Sequence, residues 1–169
     1  MWVLILILVF SSGCSNPGFA YSKDLNLRIV EIAKGEIGKG EQVGNNLGIN
    51  VARYGGIQGA PWCAAFATWV WRKAGAQPMK ARLRVSDIAA ESTRNGFYRM
   101  LPTPGDIVMW ERNGPGSGQD HCGIVIAVHS NGSFETIEGN VGSFPAKVRI
   151  FKHHMVEPNL IGFAEPVKE

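Results

Sequence analysis

The chain has 169 residues, 45% of them hydrophobic and 18% charged, with a formal net charge of +3. That length supports a single globular domain whose core needs no staples. No Lys/Arg run is present and the Trp and Phe residues are not interleaved with basic ones, so nucleic-acid binding is not expected, and the small positive balance is that of a solvated surface.

The chain opens on MWVLILILVF, apolar without a break, followed by SSGCSNPG. This run falls well short of the roughly 20 residues a helix needs to cross a hydrocarbon core. Residues 1–14 therefore read as a signal peptide, with a buried N-terminal strand as the alternative. Ser11, Ser12 and Gly13 before Cys14 resemble a bacterial lipobox, which would make Cys14 the lipidated first residue and give the protein a membrane anchor. No Lys or Arg precedes the run and Ser11 stands where lipoboxes carry leucine, so cleavage near Ala20 and release of a soluble protein stays open. Either route implies export to the periplasm or cell envelope. Residues 15–22 read as a linker and 23–169 as the domain.

Within KDLNLRIVEIAKGEIG, Leu25, Ile29, Ile32 and Ile37 fall near one helical face, with Ser22 as cap and Gly38 as stop. Residues 38–60, rich in Gly and Asn, read as loops around a short helix near Ile49 to Tyr54. APWCAAFATWVW then begins a helix that runs from Pro61 to Ala74 and stops at Gly75. It is apolar nearly all round, so it belongs in the interior with only its N-terminal end near the surface. Cys63 is at that end. A further helix spans Ser86 to Asn95, stopped by Gly96.

After Pro104 the period changes to two and β-branched residues dominate. GDIVMWE, HCGIVIAV, SFETIEG, KVRIFKHH and LIGFAEP make an antiparallel sheet of about five strands. Helices first and strands afterwards is an α+β order. HSNG joins the second and third of these strands as a hairpin. With Asn131 and Gly132 as its central residues, paired positions sum to 263, or to 261 for a loop two residues longer. Both registers put His121 on one sheet face with Glu138 and Asn140, and Cys122 on the other with Ile124 and Ile126. If the apolar helix packs on the His121 face, Cys63 meets His121 and not Cys122, which would exclude a Cys63–Cys122 disulfide; Gly123 leaves room for the approach.

A thiol at a helix start feels the positive end of the helix dipole and ionises below its free pKa of about 8.5. With an imidazole and a group to orient it, the set is that of a cysteine hydrolase. PWCAAF, PGDIVMW, DHCGIV and TIEGN, in this order, resemble the signature blocks of the CHAP family, the cysteine, histidine-dependent amidohydrolases/peptidases, over roughly residues 28–165. The resemblance implies a papain-like fold, with the helices packed on the sheet, and a bacterial or phage cell-wall hydrolase. It gives Cys63 the role of nucleophile, His121 that of general base, Glu138 that of imidazole-orienting carboxylate and Asn140 that of accompanying amide. It implies peptidoglycan as substrate, cut at the N-acetylmuramoyl-L-alanine link or at a peptide bond of the stem or cross-bridge. A non-catalytic wall-binding module, and a protease or acyltransferase on another substrate, are the competing functions.

RYGGIQGAP lacks the Asp residues that calcium-binding members carry before the nucleophile, so no metal and no cofactor are expected. A monomer is expected. Gln58 is a guess for a second oxyanion donor beside the Cys63 N–H. Asp106 reads as a turn residue, Cys122 as strand filler, Asp120 as a solvated loop residue, and His129, His153 and His154 as surface. Trp62 either lines the cleft or packs.

Overall fold

The structure, a computed structural model, describes residues 17–76, 82–112 and 120–167. The apolar leader and Cys14 lie outside the described residues. The helices are α1 (Pro17–Lys34), α2 (Ile49–Arg53), α3 (Cys63–Ala74) and α4 (Val85–Asn95). They are followed by strands β1 (Tyr98–Arg99), β2 (Ile107–Glu111), β3 (Asp120–Val128), β4 (Ser133–Val141), β5 (Lys147–His154) and β6 (Leu160–Ala164). The α+β order holds. The strands form one antiparallel sheet in the order β1-β6-β2-β3-β4-β5, six strands instead of five, because two residues of β1 are too few to show a period. α1 begins at Pro17 and so takes in residues 17–22 of the stretch expected to be a linker. It ends at Lys34, which leaves Ile37 at 43% exposed instead of on the buried face.

α3 is the central helix. Every residue from Cys63 to Trp71 is buried, and Gly75 ends it in the left-handed conformation at φ 82°, which costs glycine little. An apolar surface of this extent needs an apolar partner, and burial at about 25 cal/mol per Å² drives it there. The sheet has one such face. Met109, Cys122, Ile124 and Ile137 point toward α3 and share a core with Phe66, Trp62 and Val70. The opposite face carries a smaller cluster of Val108, Trp110, Val125, Phe134 and Phe163, interspersed with polar side chains. The helix therefore packs on the Cys122 face and not on the His121 face, the reverse of the arrangement that would have separated the two cysteines.

The β3–β4 hairpin explains how the faces fall. The turn closes with His129 N–H donating to Ser133 O at 2.8 Å, a loop one residue longer than an Asn-Gly pair, and Gly132 takes φ 80°. Next to the turn paired positions sum to 262, as in Val128 with Phe134. A bulge between Val125 and Ala127 then moves the sum to 261, as in Gly123 with Glu138. The parity expected for His121, Glu138 and Cys122 is recovered only through that bulge.

Asp106 fixes the entry to β2, as a turn residue should: its carboxylate accepts the Thr103 N–H at 2.7 Å. It is wholly buried, and burial pushes its pKa up to about 7 against the opposing pull of Arg99 and of the Thr103 N–H. The folded state therefore holds a proton that the unfolded chain releases near pH 3.9. Stability should fall as pH rises from about 4 to 7, by up to about 4 kcal/mol from this group. Asp106→Asn is expected to remove that part of the slope. Urea midpoints at pH 5 and pH 8 in both proteins test it, since all other groups titrate in both; equal slopes would refute it.

Candidate active site

Cys63 is the first residue of α3, with Trp62 as N-cap. Trp62 is fully buried and packs: its ring stacks on Tyr54 at 5.6 Å, and its indole N–H donates to Glu41 at 3.4 Å. Glu41, buried, also accepts the N–H groups of Asn46 at 2.7 Å and Ala146 at 2.8 Å. One carboxylate thus ties two loops to the residue before the thiol. Sequence reasoning did not find Glu41, whose partners lie up to 105 positions away. Gly139 completes the seat. A Cβ there would stand 2.8 Å from the Trp62 ring and 2.9 Å from Phe66, so its absence lets the start of α3 approach β4.

His121 is the second residue of β3, at the end of the sheet that the start of α3 overhangs. The Cys63 sulfur lies 4.0 Å from the Asp120 carbonyl and interacts with the His121 ring. His121 Nε2 is 2.7 Å from Glu138 Oε2, which leaves Nδ1 as the nitrogen available to the thiol. Trp110 stacks on the imidazole with ring centres 6.1 Å apart. Gly123 does make room, but for Glu138: a Cβ on Gly123 would stand 2.6 Å from Glu138 Cγ.

Cys122 is fully buried on the α3 side and interacts with Cys63 directly; both thiols are free. The sequence-based separation of the two fails because a residue at a strand end can be reached from over the edge, so Cys63 touches one neighbour from each face. The Cys63 pKa is lowered well below that of an ordinary thiol. The hydrogen bond from Cys122 contributes most, burial opposes it, and His121 and the Ala64 N–H add to the lowering. Cys122 moves up, held by its bond to Cys63 and by its own burial. The direction agrees with position, since Cys63 alone sits at a helix start.

Burial would push the His121 pKa down, but hydrogen bonds to Cys63 and Glu138 outweigh it and the net shift is up. Glu138 is 1% exposed, and burial would raise it; the bonds from His121 and His153 prevail and bring it to about 2. The three shifts run in one direction, each favouring the charged form: thiolate at Cys63, imidazolium at His121, carboxylate at Glu138.

Among the described residues no hydrogen bond joins Asn140 to the imidazole. A bulge in β4 between Glu138 and Val141 places it at φ 62°, a conformation Asn tolerates, and it lines the cleft beside Cys63 and His121. That cleft, about 920 Å³, is also lined by Leu83, Arg84 and Arg112. Asp120 lines it too and is raised in pKa, by burial first and then by Glu111 and Cys63. Gln58 is turned elsewhere: its amide accepts from Gly48 N–H at 3.1 Å and donates to Gly48 O at 3.4 Å. His129 and His154 are at the surface as expected, but His153 is not, with only 16% of its side chain exposed.

A helix-start thiol beside a carboxylate-bound imidazole at the end of a central strand of an α+β domain is the kind of set that thiol chemistry at acyl carbons requires. The family model of the CHAP domain matches residues 55–140, just over half of the chain, and the chain belongs to that family. CHAP domains are generally hydrolases of amidase or peptidase type that act on peptidoglycan. A search of curated proteins gives no significant match.

Proposed function

We propose that the protein is an exported cysteine hydrolase that cleaves amide bonds in bacterial peptidoglycan, held at a membrane through lipid on Cys14. The observation that carries the catalytic reading is the Cys63 thiol at the start of α3, facing a His121 ring whose far nitrogen is bound to Glu138 at 2.7 Å. The Cys63 thiolate attacks the amide carbonyl carbon and a C–S bond forms. The His121 imidazolium gives its proton to the leaving nitrogen as the C–N bond breaks, leaving a thioester. His121, now neutral, takes a proton from water as that water attacks the thioester and frees the thiolate. The Cys63 N–H at the helix start is the natural donor to the oxyanion. Glu138 holds the imidazole in the productive tautomer, and Asn140 faces the substrate.

Digestion of purified peptidoglycan by the full chain, followed by mass spectrometry of the soluble products, tests the reading. New amine and carboxyl termini at the lactyl-alanine link or within the peptides are expected. Binding to the wall without release of fragments would instead favour a wall-binding module, and turnover of other amides alone would favour a protease or acyltransferase.

A further inference from the structure

On the side of the sheet away from α3, a second cavity of about 260 Å³ opens between Trp110, Arg112, His153 and Glu157. One of its lining side chains, His153, reaches the far oxygen of the Glu138 carboxylate. His153 Nε2 is 2.6 Å from Glu138 Oε1, and Thr136 Oγ1 donates to the same oxygen at 2.6 Å. The other nitrogen of His153, Nδ1, is 3.0 Å from Glu157 Oε1, and Glu157 Oε2 accepts the Trp110 indole N–H at 3.0 Å. Trp110 lies against the His153 ring with centres 4.5 Å apart, and Phe134 covers it at 5.5 Å.

Each nitrogen of His153 therefore faces a carboxylate oxygen. A neutral imidazole has one N–H and would turn a lone pair on one of the two carboxylates; only the imidazolium satisfies both. Glu157, His153, Glu138, His121 and Cys63 then form a row of alternating charge across the sheet, from the second cavity to the thiol. Among the described residues, Arg112, 3.5 Å from Glu138 Oε2, and Asp120, which feels the charge of Cys63, also stand at the row.

We propose that His153 is a positioning residue of the catalytic centre: as an imidazolium clamped between Glu157 and Glu138, it fixes the rotamer and the negative charge of Glu138, and through Glu138 it holds His121 against Cys63. This rests on the cysteine-hydrolase reading. Without His153, Glu138 Oε1 keeps Thr136 as its one hydrogen-bond partner among the described residues, and the carboxylate's orientation toward His121 is less firmly fixed. The upward shift of the His153 pKa, in which the bond to Glu138 overcomes burial, agrees with the geometry.

Three measurements on the full chain test the proposal. In the wild-type protein, ¹⁵N resonances of His153 should report two protonated ring nitrogens at pH 7; a neutral ring there would overturn it, and no variant has to fold for this result. In His153→Gln, kcat on peptidoglycan should fall about 10- to 100-fold with KM held, the scale on which outer partners of metal-bound histidines act. The pH profile of Cys63 alkylation by iodoacetamide, read without substrate, should shift as well. An unchanged alkylation profile in folded His153→Gln would overturn the role. A protein inactive on peptidoglycan whose alkylation profile still shifts would count against the hydrolase reading and leave the row intact. In His153→Ala, added imidazole should recover part of the lost rate through the second cavity, and a folded variant with full activity would refute the clamp.

Discussion

Cys63→Ala is expected to abolish peptidoglycan hydrolysis, with a loss of at least about 10⁴-fold, because no other group in the cleft can form the thioester. The fold should survive. Cys63 is 6% exposed, alanine keeps the helix start, and the change removes one sulfur from a position that opens on solvent. Iodoacetamide provides the chemical counterpart at neutral pH. It should label Cys63 well ahead of Cys122, since thiolate fraction and access both favour Cys63: Cys122 is wholly buried and its pKa is raised by its bond to Cys63. Equal labelling of the two, or full turnover by the alanine variant, would reassign the nucleophile.

Glu138→Gln should cost nearly as much in kcat, up to about 10⁴-fold, the loss seen when the carboxylate that orients a catalytic histidine becomes an amide. The amide keeps the shape but not the charge, and its NH₂ meets a donor at either His121 or His153. Stability should drop as well. A folded pKa of about 2 lies below the unfolded value, so the ionised carboxylate stabilises the fold above about pH 4.5 and loses that contribution as pH falls toward 2. The shift corresponds to about 3 kcal/mol at neutral pH. Asn140→Ala is expected to cost much less in kcat, because Asn140 lines the cleft without bonding the ring. Kinetics of the two variants side by side decide the matter; the reverse ranking would pass the orienting role to Asn140.

Much of this geometry is legible in the residues. The 3.6 period, Gly75 and Gly96 locate α3 and α4, and period-two runs locate five of the six strands. The His121, Glu138 and Cys122 alternation is right at the site. It is right through a compensation that residue types do not announce: a hairpin loop of unexpected length and a bulge two pairs later cancel in parity. The choice of face is not legible in either strand. It depends on which side offers α3 an apolar surface, and that is known only once Met109, Ile124 and Ile137 are seen together. His153 escapes for the same reason. In KVRIFKHH it reads as one of two alternating histidines near a chain end, and only the pairing of Phe134 with His153 carries it onto the polar side beneath Trp110. Glu157 and Glu41 act across loops, where no period exists to reveal them.

Gly123 and Gly139 face opposite sides of the same strand pair, one admitting Glu138 and the other the start of α3. Each costs the sheet about 0.5–1 kcal/mol of backbone freedom relative to alanine. What the sheet gains is thinness at a single spot. The hydrophobic layer that delivers the thiol and the polar layer that delivers the charge meet there across bare backbone. Their separation is set by two missing methyl groups, so reactivity in this fold is tuned by subtraction: a methyl at Gly123 would displace the carboxylate and leave the helix in place, and one at Gly139 would lift the helix and leave the carboxylate.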